Sequence, residues 1–297
     1  MTTNGRRPPT AAWRGDNAAV LVLTFDIDAE SCILAEGRRY ADNPGVMTHQ
    51  AYGPLVGTPR ILDMLADYRI KATFFVPGVT AERYPALIER IVTEGHEVGH
   101  HSHSHRPPQT MTEDEERRDF DMAYRTLARL GITPEGHRTA LWAPHWSTPA
   151  LVAEYGLSYE SNLMDDDRPY VLDTACGRIA ELPPHWSLDD YPQYAFMIDP
   201  QIGHNVESPR KAVEVWTLEL EAMREYGCLM VLNNHPFLSG RPSRVKALRS
   251  LVEYALDAGD VEITTGATIA KRVLSDTDSP IRRLRPVEVD PEVYPHQ

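Results

Sequence analysis

The chain has 297 residues, of which 42% are hydrophobic and 25% charged, with 24 Pro, 18 Gly and a formal charge of −13. That length suits one large or two ordinary domains, and the composition excludes disordered, collagen-like and disulfide-dense chains. An acidic surface repels a polyphosphate backbone, so no nucleic-acid partner is expected, and Cys32, Cys176 and Cys228 lack the paired spacing of a disulfide framework or thiolate zinc site.

Residues 1–17 read as an N-terminal tail. Arg6 and Arg7 are followed at once by Pro8 and Pro9, and Arg14 and Asp16 interrupt any apolar stretch, so no secretory or twin-arginine signal is legible. The most apolar run, Ala18 to Leu23, is six residues long, against the ~20 of a membrane helix. A soluble, cytoplasmic protein without a membrane partner is expected.

From residue 18 to 274 the chain alternates strand and helix. A buried strand, Ala19 to Phe25, runs into the acidic cluster Asp26, Asp28 and Glu30. Ile61, Leu62, Leu65 and Tyr68 then repeat at helical spacing, before the β-branched and aromatic run Ala72 to Val76. Next come a helix through Leu87, Ile88 and Ile91, a short strand at Glu97 to Gly99, and a helix through Phe120, Tyr124, Leu127 and Leu130. A helix through Val213, Trp216, Leu220 and Met223 precedes the strand Cys228 to Leu232, and a helix through Val245, Leu248, Val252 and Ala255 precedes the strand Val261 to Ile263. Ala267 to Leu274 can close as a last helix. Such alternation predicts an α/β fold with a parallel sheet, barrel or doubly wound, whose strand C-terminal ends carry function. Residues 275–297 are rich in Pro and charge and lack periodicity; they read as a C-terminal arm, disordered or laid on a neighbouring subunit.

Five histidines crowd one short stretch at a strand end: His96, His100, His101, His103 and His105. His101 and His105 are four apart, a spacing that puts two imidazoles on one face of a helical turn, where they can share a metal ion. Asp26 and Asp28, two apart at the end of the first strand, can enter the same cavity. Two His and one Asp make the three-ligand count of an open catalytic zinc site, with a second carboxylate to spare as general base. Taken singly, the histidines also suit a solvated polar loop and the Asp pair a plain turn; their combination is far more specific.

These motifs resemble the polysaccharide deacetylases of the NodB-homology group, over about Val20 to Leu274. Thr24-Phe25-Asp26-Ile27-Asp28 resembles the family's first motif, in which the first Asp is the catalytic base and the second a metal ligand. His101-Ser102-x-x-His105 resembles the second, which supplies two metal histidines. Arg138 with Trp142 looks like the third, and Leu232-Asn233-Asn234-His235-Pro236 like the fifth, whose His is the general acid. The stretch from Glu181 through Trp186 to Asp189 and Asp190 is similar instead to that of an intracellular branch with peptidoglycan-deacetylase-like, allantoinase-like and cyclic-imidase-like members.

The resemblance implies a deformed (β/α) barrel of about seven parallel strands and a metal-dependent hydrolase of non-peptide carbon–nitrogen bonds. Zn2+ would be bound by Asp28, His101 and His105, with Asp26 as base, His235 as acid, and Arg138 paired to Asp26. Trp142 and Trp186 read as cavity walls. A small amide or cyclic imide is favoured over an acetylated amino sugar, because the Pro-rich insertion from Asp165 to Gly203 is long enough to close over the strand ends. The exposed aromatics of that insertion also suit a homo-oligomer contact, in a dimer or tetramer. A catalytically silent metal- or ligand-binding protein on the same fold is the competing class.

Overall fold

The computed structural model describes residues 11–294. The strands are β1 (Ala19–Asp26), β2 (Thr73–Val76), β3 (Glu97–His100), β4 (Gly136–His137), β5 (Tyr159–Glu160), β6 (Tyr170–Thr174), β7 (Gly177–Glu181), β8 (Leu229–Asn234), β9 (Val261–Thr264) and β10 (Ile281–Arg282). Along the sheet the order is β10-β6-β7-β5-β4-β3-β2-β1-β8, with β9 also on β1. β1 to β5 and β7 to β9 run parallel, β6 is antiparallel to β7, and β10 pairs parallel with β6. The far ends of this order meet: Leu229 N–H donates to Asp167 O at 2.9 Å, and Asp189 bridges Asn233 of β8. The result is a deformed barrel wrapped by helices.

Burial explains why β1 reads as a continuous apolar run, since all eight of its residues are buried and a strand covered on both faces alternates in direction but not in polarity. Leu21, Leu23 and Phe25 pack outward against the helices Thr58–Tyr68, Pro209–Tyr226 and Pro242–Ala258, while Val20 and Val22 join Phe75, Tyr159, Leu229 and Val231 inside. The inward phase then continues into polar residues, Thr24 and Asp26 on β1 and Asn233 on β8. Gly136 makes room for this filling, since a Cβ there would lie 2.0 Å from the Tyr159 ring.

The helices expected from periodicity are present. Two features differ from the sequence expectation. The insertion after residue 165 opens with the hairpin β6–β7, two strands absent from that expectation. The segment following the last helix (Gly266–Ser275) is pinned to its own chain: Ile281 and Arg282 pair with Val171 and Leu172, and Arg282 and Arg283 reach Asp165, Asp166 and Asp173. No described helix is long and apolar enough to cross a membrane.

Candidate active site

Asp26, Asp28, His101, His105, Arg138 and His235 converge at the C-terminal mouth of the barrel. Asp28, two residues past β1, has its Oδ1 3.3 Å from His101 Nε2 and 3.3 Å from His105 Nε2. Burial pushes the Asp28 carboxyl up, but His105 and His101 outweigh it and hold the group well below the usual carboxylate range. The three residues present ligand atoms within 4.8 Å of one another, all buried.

The histidine pair does not sit on a helical turn as its spacing suggests. Residues 101–105 form a bent loop in which Ser102 and His105 adopt left-handed backbone conformations (φ 57° and 58°). Asp119 holds the bend by accepting from His103 N at 2.7 Å and Ser104 N at 3.1 Å, while Gly78 N and Val79 N donate to the carbonyls of Ser102 and His103. Convergence is therefore set by tertiary hydrogen bonds, not by the helical period. His100 faces the other side of β3, buried, stacked on Phe120 and 2.8 Å from His137 Nδ1. His103 is also buried, so neither is a surface residue.

Two observations test whether this cluster fits a metal. His101 Nδ1 lies 2.7 Å from the Arg138 carbonyl, to which it must donate, so the Nε2 lone pair faces Asp28. Asp28 Oδ1 is buried without a hydrogen-bond donor. An orphaned carboxylate oxygen between two imidazole nitrogens is what a small divalent ion satisfies, and the imidazole–carboxylate set suits a transition ion rather than magnesium or calcium.

Asp26 is held differently. Its Oδ1 accepts from Arg138 Nη1 at 2.8 Å and its Oδ2 from Asn233 Nδ2 at 3.0 Å, with His101 Nε2 3.8 Å away. Arg138 is fully buried over the Phe75 ring and also donates to Thr24 Oγ1, Asn233 Oδ1 and Ser161 Oγ. The guanidinium thus fixes the carboxylate in place while compensating its charge.

His235, the residue after β8, points Nε2 at Asp28 Oδ2 (3.7 Å) and Nδ1 at Asp190 Oδ1 (2.7 Å), with Asp189 Oδ1 at 3.6 Å. Burial alone would lower its pKa, but Asp189 and Asp190 raise it well above the ordinary imidazole value. Asp190 is itself fixed by His235 N–H and the Ser239 hydroxyl. Asp189, buried, is pushed up to about 7. The positioning parts Asn233 and Asp190 were both inside recognised motifs, yet spacing could not show what they hold: Asp190 is 45 residues from His235, and Asn233 is 207 from Asp26.

Above the cluster lies a cavity of about 70 Å³, walled by Cys32, Pro107, Leu141, Trp142, Trp186, Tyr191 and Ile202. Trp142 and Trp186 meet edge to face at 4.7 Å between centroids. The roof is the chain from Trp186 to Ile202, tied down where Asp190 N bonds Asn233 O.

Comparison with known proteins agrees with this geometry. The polysaccharide deacetylase family matches residues 46–156. A Mycobacterium smegmatis protein assigned to the polysaccharide deacetylases is 42% identical, and its crystal structure superposes with a TM-score of 0.90 over 95% of this chain and 98% of that one. The peptidoglycan deacetylase of Helicobacter pylori is 25% identical over 240 residues, 72% of this chain and 82% of its own. The PuuE allantoinase structure shares the fold, with a TM-score of 0.79 at 24% identity over 93% of this chain and 96% of that one.

Proposed function

Since the chain belongs to the polysaccharide deacetylase family, whose members hydrolyse carbon–nitrogen bonds other than peptide bonds, we propose that it opens or cleaves a small amide or cyclic imide rather than an extended glycan. The single observation that carries this reading is the roofed cavity of about 70 Å³, small beside the roughly 300–1,000 Å³ of pockets that hold drug-sized ligands. Its walls are mostly apolar and include the Trp142 and Trp186 rings, which suits a compact, partly apolar group.

In this reading Asp28, His101 and His105 hold a divalent transition ion, Zn2+ by the chemistry of the donors. When bound, such an ion supplies Lewis-acid polarisation of a carbonyl and lowers the pKa of water. Asp26, oriented by Arg138 and Asn233, takes the proton of the attacking water. His235 carries its proton on the side facing Asp28 and delivers it to the departing nitrogen, which an amide requires because an amine anion leaves very poorly. Asp190 keeps that imidazole protonated and aimed. Trp142 and Trp186 clamp the substrate and exclude water.

A second reading, removal of acetyl groups from amino sugars, is favoured by the likeness to the Helicobacter pylori peptidoglycan deacetylase. One assay panel with zinc-loaded protein separates the two: acetylated glucosamine oligomers, peptidoglycan fragments, allantoin, hydantoin, succinimide and glutarimide, scored by acetate release or ring opening. Ring opening without acetate release is the expected result. Acetate release that improves with chain length overturns it.

A further inference from the structure

Beside the site, on the outward phase of β5 and β7, lies a second polar cluster that the mechanism does not use. Glu160 ends β5 and Glu181 ends β7, and the two are register partners on adjacent parallel strands. Both are fully buried. Each has one oxygen well supplied with donors: Glu160 Oε2 accepts from Asn162 Nδ2 at 2.9 Å, and Glu181 Oε1 accepts from the backbone N–H groups of Asn162 (2.8 Å) and Leu163 (3.0 Å). The other two oxygens, Glu160 Oε1 and Glu181 Oε2, have no N–H or O–H donor at all. No cation pairs with either carboxyl among the described residues. Two buried acceptors on neighbouring carboxyls are satisfied together when one carries a proton and donates it to the other.

Asn162 connects this pair to the pocket. Its Oδ1 accepts from both Thr139 N (2.9 Å) and Thr139 Oγ1 (3.0 Å), and Thr139, Leu141 and Trp142 line the cavity. Leu141 and Trp142 are consecutive non-glycine residues with left-handed backbones (φ 59° and 49°), a conformation that persists only where the surroundings enforce it.

We propose that Glu160 and Glu181 share a single proton between Glu160 Oε1 and Glu181 Oε2, and that this pair, acting through Asn162, is the positioning device that holds the Thr139–Trp142 wall of the pocket. It rests on the reading above only in taking that pocket as the active site. Burial pushes both carboxyls up, Glu160 to about 7. The titratable groups facing the pair are Glu116 from the helix Glu113–Arg129, His137 from β4, and Asp165 and Tyr170 beside Glu181. Glu116 is itself raised by burial, and His137 is held neutral by burial and by His100. None of these supplies a compensating positive charge.

The pair binds a proton in the folded chain at pH values where an unfolded glutamate has lost it, so its contribution to stability falls as pH rises from about 4.5 through about 7. E160Q keeps every bond, because the amide oxygen accepts from Asn162 and the amide N–H replaces the shared proton. Three variants of the metal-loaded protein, E160Q, E160A and N162A, test the proposal, with W142F as the subtraction that isolates the Trp142 emission. The Tm of E160Q minus that of wild type is expected to grow between pH 5 and pH 8. The Trp142 emission should be unchanged in E160Q and shifted in E160A and N162A, with bound metal per chain constant throughout. KM for the panel compound that is turned over should rise about five- to tenfold in N162A with kcat nearly unchanged, as for one lost pair of hydrogen bonds. Parallel Tm curves for E160Q and wild type, or an unmoved Trp142 emission in N162A, overturn the proposal. Melting and emission need no turnover, so failure of the substrate assay is distinguishable from failure of this inference, and N162A decides the loop question if E160A does not fold.

Discussion

Two carboxylates two residues apart sit in environments that differ enough to give them different work. Asp28 lies between two imidazoles, and Asp26 lies against a guanidinium and an amide. Asp26→Asn is therefore expected to retain the metal and to lose rate by roughly 10²- to 10⁴-fold, the range for a general base, whereas His101→Ala and His105→Ala lose the metal. Elemental analysis and kinetics on the same preparations check both, and exchanged results for Asp26 and Asp28 would reverse the assignment. Asp190→Asn removes a charge that holds His235 protonated, so the alkaline limb of kcat/KM should move to lower pH while metal content stays constant. An unmoved limb would mean that another group is the acid. The cluster of candidate ligands was legible in the sequence because few residue types can bind a metal or move a proton, and they fall at strand ends. What Asn233 and Asp190 hold was not, because a hydrogen bond across the barrel mouth leaves no periodic trace in the chain.

Among the elements, the strong helices and the long strands β1 and β8 follow from periodicity and apolar runs. β4 and β5 are two residues each, too short for alternation to register, and the hairpin β6–β7 was hidden by the Pro- and Asp-rich chain around it. The roof that follows that hairpin carries Trp186, half exposed at the cavity mouth against Trp142. Trp186→Ala should raise KM by about fivefold to tenfold and leave kcat within about twofold, the signature of binding shared by ground and transition states. A fall in kcat alone would show that the roof takes part in the chemical step.

At the scale of the whole molecule, buried titratable groups set a pH window. Burial lowers His96 to about 4 and His100 to about 3, and holds His137 lower than an ordinary imidazole. The unfolded chain binds those protons first, so these three lose stability as pH falls below about 6.5. Burial raises Glu160 and Asp189 to about 7 and Glu181 well above 4.5, so these three lose stability as pH rises above about 4.5. The two sets oppose each other at ~1.4 kcal/mol per group per pH unit between those limits. The chelated protein should accordingly lose stability both below about pH 4.5 and above about pH 6.5, measurable by urea unfolding at pH 3.5, 5.5 and 8. A steady increase up to pH 8 would contradict it.

β1 holds the first residues of the site and is paired along its length by strands that lie far later in the chain: β8 from residue 229 and β9 from residue 261. A ribosome emitting this protein therefore releases the base and the first ligand long before their supports exist. Until residue 234 has emerged, β1 lacks its neighbour on one edge and Asp26 lacks Asn233, and until residue 264 the other edge is paired only at its C-terminal end, by β2. Contacts so distant in sequence make folding slow and largely post-translational, and a chain stalled before β8 exposes an apolar strand with free edges, the form most prone to aggregate. Barrel closure thus completes the proton-transfer groups last, since Asp26 waits for Asn233 and His235 follows β8, whereas the three metal-ligand candidates and the groups that hold them lie within residues 28–138.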